Sequence, residues 1–279
     1  MSAPIRAVTF DCWGTLINDR DFAAATAIRV RAIAEAAGGT MSGTEARELL
    51  DSAWREHHRQ WLDGVQFGSP GIARIISEEL GDEAVIGLLQ ETFEDAGRHG
   101  VIYEIPGAAS TLASLREQGI RTALVCDAGM TPGRVVRDLL NGVGVLEHLE
   151  FCAFSDEIGV PKPSPEMFSV ALEAIDTTPE EAVHVGDLLR TDVDGARAFG
   201  MRTIRITAVT DDLRDGVSWD ASAVSRGPSP YRLMHPEPGV ESEAAESRTV
   251  GAPPFGDADE VIASYEEFPA ALERLEADA

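Results

Sequence analysis

Positive charge is scarce in this sequence, and lysine is nearly absent. The 23 basic residues include a single lysine, Lys162, and they stand against 48 acidic residues, so the formal net charge is -25. So acidic a chain is a poor partner for nucleic acid or for an anionic membrane surface. A small anionic substrate would have to meet a local cluster of positive charge.

Cysteine and long apolar runs are also lacking. The three cysteines, Cys12, Cys126 and Cys152, form no CxxC pair and predict no disulfide framework. No apolar run is long enough to span a bilayer. The chain begins without the basic and apolar regions of a signal peptide. We therefore expect a cytoplasmic protein, and 279 residues suffice for one large core with an insert.

The order of the predicted elements indicates an α/β fold. Residues 20–95 show only helical spacing of apolar residues, in four segments. From about residue 100, apolar strands alternate with helices, which predicts a parallel sheet covered on both faces. We predict a core domain of residues 1–18 and 96–279, interrupted by a helical cap of residues 19–95. Residues 208–256 are rich in Pro, Gly, Ser and Glu and read as an irregular insertion.

Polar residues that could take part in a reaction or bind a ligand follow several of the predicted strands. Asp11 follows "AVTF", Asp127 follows "RTALVC", and Asp187 follows "EAVHVG", while Lys162 lies in a loop after another strand. Alone, each acidic residue is typical of a turn or a helix cap. Because the carboxyl ends of parallel strands share one edge of a sheet, together they predict a ligand site.

Four segments of the sequence resemble the motifs of the haloacid dehalogenase superfamily. They are "FDCWGTL", "ALVCDAG", the lysine of "GVPKPSPEMF" and "HVGDLLRTDVDGA", and the resemblance extends over residues 5–206 and 257–276. It implies a Rossmann-like core with a helical cap inserted after the first motif. Matching order and spacing of four motifs is far more specific than any one of them.

The resemblance implies a role for each motif residue. Asp11 would be the nucleophile and Lys162 its cationic partner. Mg²⁺ would be held by Asp11, Asp187 and the backbone carbonyl of Trp13, with Asp192 completing or supporting the shell. The phosphate-binding positions would be Cys12, Trp13, Cys126 and Asp127. Specificity would come from cap residues, with the candidates Trp54, His57, His58 and Trp61.

Two positions depart from the family pattern. Cys126 stands where a serine or threonine is usual, and a thiol is a weak hydrogen-bond donor. Trp13 stands where phosphatases of the family place a second aspartate that protonates the leaving group. General acid–base help of this kind is worth about 10² to 10⁴ in rate, and an indole cannot supply it.

Three functions remain open at this point. The first is a Mg²⁺-dependent phosphatase whose leaving group needs no proton, or whose acid lies elsewhere, the candidates being Asp19, His57, His58 and Asp127. The second is a 2-haloacid dehalogenase, a family branch with an aromatic residue at the Trp13 position and no metal, which would need an arginine for the substrate carboxylate, the candidates being Arg20, Arg29 and Arg31. The third is a non-catalytic phosphate-binding or regulatory protein. The sequence permits a homodimer and selects no interface for it.

Overall fold

The computed structural model describes residues 3–209 and 256–277. The predicted insertion at 208–256 therefore lies almost wholly outside the described residues. A sheet of six strands forms the core, in the spatial order β5-β4-β1-β6-β7-β8, with every neighbouring pair parallel. Its strands are β1 (Ala7–Phe10), β4 (Arg121–Cys126), β5 (Phe151–Phe154), β6 (Ala182–Gly186), β7 (Arg202–Ile206) and β8 (Glu260–Ile262).

Helices cover both faces of this sheet, as the sequence predicts. They are α5 (Ala108–Glu117), α6 (Gly133–Gly142), α7 (Ser155–Ile158), α8 (Pro165–Ala174), α9 (Asp194–Ala198) and α10 (Phe268–Ala277). Alternate residues of β1 serve opposite faces: Val8 and Phe10 pack in the cluster that contains residues of α5, α6 and α10, and Ala7 packs with α8 and α9. This alternation is the consequence of the two-residue period of a strand.

The chain leaves the central strand β1 in two directions. From β1 it builds β4 and β5 on one side and β6, β7 and β8 on the other. A reversal of strand order leaves a crevice outside the carboxyl ends of the strands, which is where α/β sheets bind ligands. The turn after β1 and the loops after β4 and β6 border this crevice.

Four helices lie between β1 and α5 in the chain. They are α1 (Ala23–Ala36), α2 (Gly43–Leu62), α3 (Gly68–Leu80) and α4 (Ile86–Ala96), and they enclose an apolar cluster that includes Ile33, Trp54, Ile72 and Phe93. The four helical segments predicted within residues 20–95 are confirmed, except that Arg20 and Asp21 belong to a strand. The exact domain boundaries, 18/19 and 95/96, stay a prediction.

Two local features differ from the sequence expectations. A short antiparallel ribbon of β2 (Ile17–Asp21) and β3 (Val101–Glu104) joins the four helices to the core. Its polar sequence "INDRD" has no strand-like alternation and was not predicted. The segment "GTEARELLDSAWREHHRQWLDG" predicts Thr44 as the cap of α2, and this prediction is wrong: Ser42 caps the helix, exchanging hydrogen bonds with Glu45 in a capping box.

Within the described part of the chain, we find no helix with the length and apolar character needed to cross a membrane.

Candidate active site

Asp11 lies at the carboxyl end of the central strand. Its backbone N–H donates to the carbonyl of Val185 at 2.8 Å, which fixes the residue between β1 and β6. Gly14 follows with φ of +79°, a conformation that glycine adopts without strain, and allows the chain to turn sharply. The side chain is nearly buried, so strand pairing and the turn hold it at the crevice.

Lys162 joins two carboxylates at this edge. Its Nζ donates to Oδ1 of Asp11 at 2.6 Å and to Oδ1 of Asp192 at 2.7 Å, and all three side chains are buried. Burial alone would lower the pKa of Lys162, but the neighbouring carboxylates of Asp11 and Asp192 hold it well above its usual value. Lys162 is therefore a fixed positive charge.

The two carboxylates on Lys162 differ in their proton affinity. Burial raises the pKa of Asp11 to about 6, against the opposing effect of Lys162. Burial also disfavours the charged form of Asp192, but Lys162 and a hydrogen bond from His184 outweigh it and hold the pKa of Asp192 below its usual value. Asp11 is thus the less stabilised anion of the two, and the less stabilised anion is the better nucleophile.

His184 supports Asp192 from beneath and was not identified from the sequence. Its Nδ1 lies 2.8 Å from the hydroxyl of Thr9, and its Nε2 lies 3.3 Å from Oδ1 of Asp192. Burial lowers the pKa of His184, so the ring is neutral. Because ionised Asp192 can only accept, Nε2 carries the hydrogen and Nδ1 accepts from Thr9. In the sequence, this histidine is hidden inside the apolar strand "AVHVG".

Asp192 also depends on the glycine at the end of β6. A Cβ at Gly186 would lie 2.3 Å from Cγ of Asp192, a separation that no side chain tolerates. Asp192 further accepts the backbone N–H of Leu188 at 3.0 Å. The short helical segment Leu189–Val193, wound as a π-helix, therefore folds back onto the strand tip and returns the carboxylate to the site.

Three carboxylates form a group that suits a divalent cation. Asp11, Asp187 and Asp192 each offer an oxygen atom, and these atoms lie within 4.8 Å of one another. Mg²⁺ prefers such hard oxygen ligands. Three buried carboxylates with one lysine leave an excess of negative charge, so the donor set fits Mg²⁺ in both chemistry and charge. The carbonyl of Trp13 as a further ligand stays a prediction.

Asp127 links the core to the helical cap. Its Oδ1 accepts the backbone N–H of Lys162 at 2.8 Å, and its Oδ2 accepts the indole N–H of Trp61 at 2.8 Å. The guanidinium of Arg190 lies over the face of the Trp61 ring, 4.0 Å from its centroid. A cation at this distance is attracted to the face of an indole. Arg190 was not predicted, since its chain neighbours are motif acids and its partner comes from the cap.

The remaining phosphate-binding candidates lie around Asp11. The side chains of Cys12 and Cys126 are buried in the apolar core. A hydrogen bond with Cys12, followed by burial, holds the pKa of the Cys126 thiol well above its usual value. We therefore expect backbone N–H groups, rather than thiols, to face a phosphoryl group. Trp13 is half-buried and packs edge-on against Phe22 at 5.9 Å, between the core and the cap.

The candidate proton donors are poorly suited to that task. Burial lowers the pKa of His57 to about 3, and burial together with Arg190 lowers that of His58 to about 4, so both are neutral at pH 7. Burial raises the pKa of Asp127, and both of its oxygens already accept N–H groups. Asp19 is buried on β2, in the ribbon.

The three candidate arginines lie in very different places. Arg20 lies over the ring of Tyr103 at 5.1 Å, and Arg31 is exposed beside Glu35 on α1. Arg29 is completely buried. Burial therefore distinguishes Arg29 from Arg20 and Arg31.

A sequence model of the haloacid dehalogenase-like hydrolases matches residues 5–200. The chain is 32% identical over 151 residues to haloacid dehalogenase-like hydrolase domain-containing protein 3 of Bos taurus, covering 53% of this chain and 56% of that protein. It is 38% identical over 101 residues to glyceraldehyde 3-phosphate phosphatase of Pyrococcus furiosus, covering 36% and 41%. It is 29% identical over 213 residues to (S)-2-haloacid dehalogenase 1 of a Pseudomonas species, covering 74% and 86%. The alignment spans little more than half of the curated relatives that match first.

Solved structures of both activities share the fold. A HAD phosphatase from Thermococcus onnurineus superposes with a TM-score of 0.59 and 20% identity, covering 96% of this chain and 98% of that one. A 2-haloacid dehalogenase from Pseudomonas syringae superposes with a TM-score of 0.62 and 20% identity, covering 97% and 99%. The fold is therefore common to both chemistries, and only the site residues can separate them.

Proposed function

Because the chain belongs to the haloacid dehalogenase-like hydrolase family, we propose that it is a Mg²⁺-dependent phosphatase of a small phosphorylated metabolite. The observation that supports this proposal is the grouping of Asp11, Asp187 and Asp192 at one place, where Asp11 and Asp192 also pair with Lys162. Displacement of a halide from carbon needs only the Asp11 carboxylate and a cation. Phosphoryl transfer also needs stabilisation of the charge that spreads over several oxygens. The similarity to the glyceraldehyde 3-phosphate phosphatase of Pyrococcus furiosus also supports a phosphatase.

Asp11 supplies the nucleophile in this mechanism. A carboxylate oxygen of Asp11 attacks phosphorus, the bond from phosphorus to the leaving oxygen breaks, and an aspartyl-phosphate forms. Water then attacks this intermediate, releasing phosphate and restoring Asp11. Lys162 holds the attacking carboxylate in place and offers positive charge to the transferred group. Bound Mg²⁺ would neutralise further charge on that group, held by Asp11, Asp187 and Asp192.

Trp13 restricts the leaving groups that this site can expel. Its indole N–H does not titrate, and the cap histidines are neutral at pH 7. An unprotonated alkoxide is a poor leaving group, whereas a carboxylate or a phenolate departs unaided. We therefore infer that acyl phosphates, aryl phosphates or phosphoanhydrides are better substrates than alkyl phosphates.

A cytoplasmic location of this enzyme is consistent with its three unpaired cysteines.

A 2-haloacid dehalogenase is the second candidate. Trp13 favours it, because halide leaves without a proton, and so does the long alignment with the Pseudomonas enzyme. The three neighbouring carboxylates of Asp11, Asp187 and Asp192 favour the phosphatase, because a displacement at carbon gains nothing from such a group. A third candidate, a non-catalytic phosphate-binding protein, would keep the same pocket without turnover.

The test compares substrates with and without available metal. The purified protein is incubated with acetyl phosphate, 4-nitrophenyl phosphate, glycerol 3-phosphate and 2-chloropropionate, with Mg²⁺ or with a chelator. Asp11→Asn and Asp187→Asn remove proposed site residues, and Asp138→Asn changes an exposed acid that pairs only with Arg98 among the described contacts. Phosphate release that needs Mg²⁺ and is lost only in the first two variants is the expected result. Halide release that ignores the chelator would establish the dehalogenase, and phosphate binding without any release would establish the third candidate.

A further inference from the structure

The loop between β4 and α6 carries a side chain that packs inside the cap. This loop starts at Asp127 and ends where α6 begins at Gly133. Met130, in the middle of the loop, is 5% exposed and packs in the apolar cluster of the cap. Among the described residues, every other member of that cluster lies between positions 30 and 93, in the four cap helices and their connections. A residue of a core loop is thus part of the interior of the cap.

The backbone of the same loop lies directly against the cap. A Cβ added at Gly129 would lie 3.0 Å from Cη2 of Trp54 on α2, so any larger residue would have to displace its neighbour. The carbonyl of Ala128 accepts a hydrogen bond from Nε2 of Gln66 at 3.1 Å, and Gln66 lies between α2 and α3. The cap therefore contacts this loop through its backbone as well as through a side chain.

The core holds the loop by different groups. The backbone N–H of Ala128 donates to Oγ of Ser155 at 2.7 Å, and the backbone N–H of Gly133 donates to Oδ1 of Asp156 at 3.1 Å. Both acceptors belong to α7, which follows β5 directly. The core therefore accepts N–H groups of the loop, whereas the cap binds a carbonyl and buries Met130. Because each region holds the loop independently, its conformation depends on where the cap lies relative to the core.

The first residue of the loop is the one that we expect to bind phosphate. The thiol of Cys126 is a weak donor, so the backbone N–H of Asp127 is the expected donor at the end of β4. The carbonyl that the cap binds lies one residue further along the chain, and Met130 lies three residues further along. A shift of these contacts is therefore passed directly to that N–H group. Misplacement of a binding contact by about 1 Å can cost about 10²-fold in rate.

We propose that Met130 is a positioning residue through which the cap fixes the loop after β4, and with it the backbone N–H of Asp127 that binds the phosphoryl group. The phosphate-binding part of this inference rests on the proposed phosphatase function. Methionine suits such a contact, because its unbranched and flexible side chain fills irregular space between packed elements. The simpler alternative is that Met130 only adds apolar burial, which would stabilise the protein without any effect on phosphate binding.

Two truncations in the same apolar cluster separate positioning from burial. Met130→Ala removes the side chain that enters the cap from the loop. Leu89→Ala, the matched control, removes a fully buried side chain of α4 from the same cluster. Met130→Leu keeps the volume of the side chain and is the conservative variant. Calorimetry with inorganic phosphate and Mg²⁺ measures binding, kinetics with acetyl phosphate give KM and kcat, and urea denaturation gives the stability of each variant.

We expect Met130→Ala to weaken phosphate binding and to raise KM about three- to tenfold, the effect of one misplaced hydrogen bond. Met130→Leu should bind phosphate as the unaltered protein does. Leu89→Ala should lose stability, since it leaves a cavity, but should keep its affinity for phosphate. Equal weakening of phosphate binding in Met130→Ala and Leu89→Ala, or no weakening in either, would overturn the inference and leave Met130 as a packing residue.

If Met130→Ala does not fold, a second variant tests the other contact of the loop. Gly129→Ala adds a methyl group against Trp54 and pushes the loop away from the cap while Met130 is retained. It should weaken phosphate binding by the same three- to tenfold, about the effect of one hydrogen bond. Gly87→Ala on α4, where an added Cβ meets no atom within 4 Å, is the matched control. Unchanged phosphate binding in Gly129→Ala would contradict the inference.

Amide hydrogen exchange gives a readout that needs no ligand. Exchange in the loop residues 127–131 should be faster in Met130→Ala and Gly129→Ala than in the unaltered protein, and unchanged in Leu89→Ala and Gly87→Ala. If the unaltered protein neither binds nor releases phosphate, the phosphatase proposal fails, while this comparison still decides whether the cap fixes the loop. Equal exchange in all four variants would overturn the inference.

Discussion

The edge of the sheet and the interior of the cap each bury a cation, but they treat it in opposite ways. Lys162 at the sheet edge contacts two carboxylates within 2.7 Å. Arg29 in the cap has one carbonyl contact, and two of its nitrogens have no partner in the described residues. The core therefore supplies its own counter-charges and is prepared for chemistry in advance. The cap holds a charge that is only partly compensated.

Removing each cation should have opposite effects on folding, and this is the largest difference we predict. Lys162→Met leaves the carboxylates of Asp11 and Asp192 buried without their cation, so we expect the free energy of unfolding to fall by about 3–5 kcal/mol. Arg29→Met removes an incompletely paired charge, so the free energy should stay level or rise. Urea denaturation of both variants at pH 7 checks the comparison. If both variants lost stability equally, the two buried cations would be alike after all.

The same sheet edge should dominate the pH dependence of stability in acid. The pKa of Asp11 is about 6 in the folded protein, above the 3.8 of an unfolded chain. Between these values the folded state binds more protons than the unfolded state, so this contribution to stability falls as pH rises from 4 to 6. Asp11→Asn removes the effect, and with chelator present it should stabilise the protein by about 3 kcal/mol at pH 7 and little at pH 4.

Asp192→Asn provides the control for that titration. The pKa of Asp192 is lowered in the folded protein, so its charge contributes stability above the unfolded pKa, and that contribution is lost as pH falls. This variant should therefore be less stable than the unaltered protein at pH 7. Denaturation curves at pH 4, 5, 6 and 7 compare the two. Destabilisation by both variants at pH 7 would show that Lys162 needs Asp11 as much as Asp192.

Trp13 lies between the two regions, and its replacement sharpens the contrast between them. Under the phosphatase proposal, Trp13→Asp adds the missing acid, so turnover of glycerol 3-phosphate should rise about 10- to 100-fold, within the range for general acid–base help. Turnover of acetyl phosphate should change little, because its leaving group needs no proton. Trp13→Phe controls for loss of the indole. A parallel change in both substrates would show that protonation is not what limits this site.

The residues at the sheet edge could be predicted from the sequence far better than the contacts of the cap. Asp11, Asp127 and Asp187 each follow an apolar strand, so a parallel sheet alone brings them to one edge. The ribbon of β2 and β3 escaped prediction because its segment "INDRD" carries no apolar alternation. The enclosure of Arg29 and the contact of Trp61 with Asp127 join segments 64 and 66 residues apart. Such pairings depend on how helices pack, which local patterns do not encode.

The contact between Trp61 and Asp127 is where the two regions meet, and its loss should give the smallest effect of the set. Trp61→Phe retains a ring for Arg190 to cover and removes only the N–H that holds Oδ2 of Asp127. Asp127 also accepts the backbone N–H of Lys162, so a loosened carboxylate should lower kcat about three- to tenfold, the effect of one modest hydrogen bond. Steady-state kinetics with acetyl phosphate measure it, and Trp54→Phe, a change inside the cap cluster, is the control. An unchanged kcat in Trp61→Phe would mean that the cap contacts the core here without positioning Asp127.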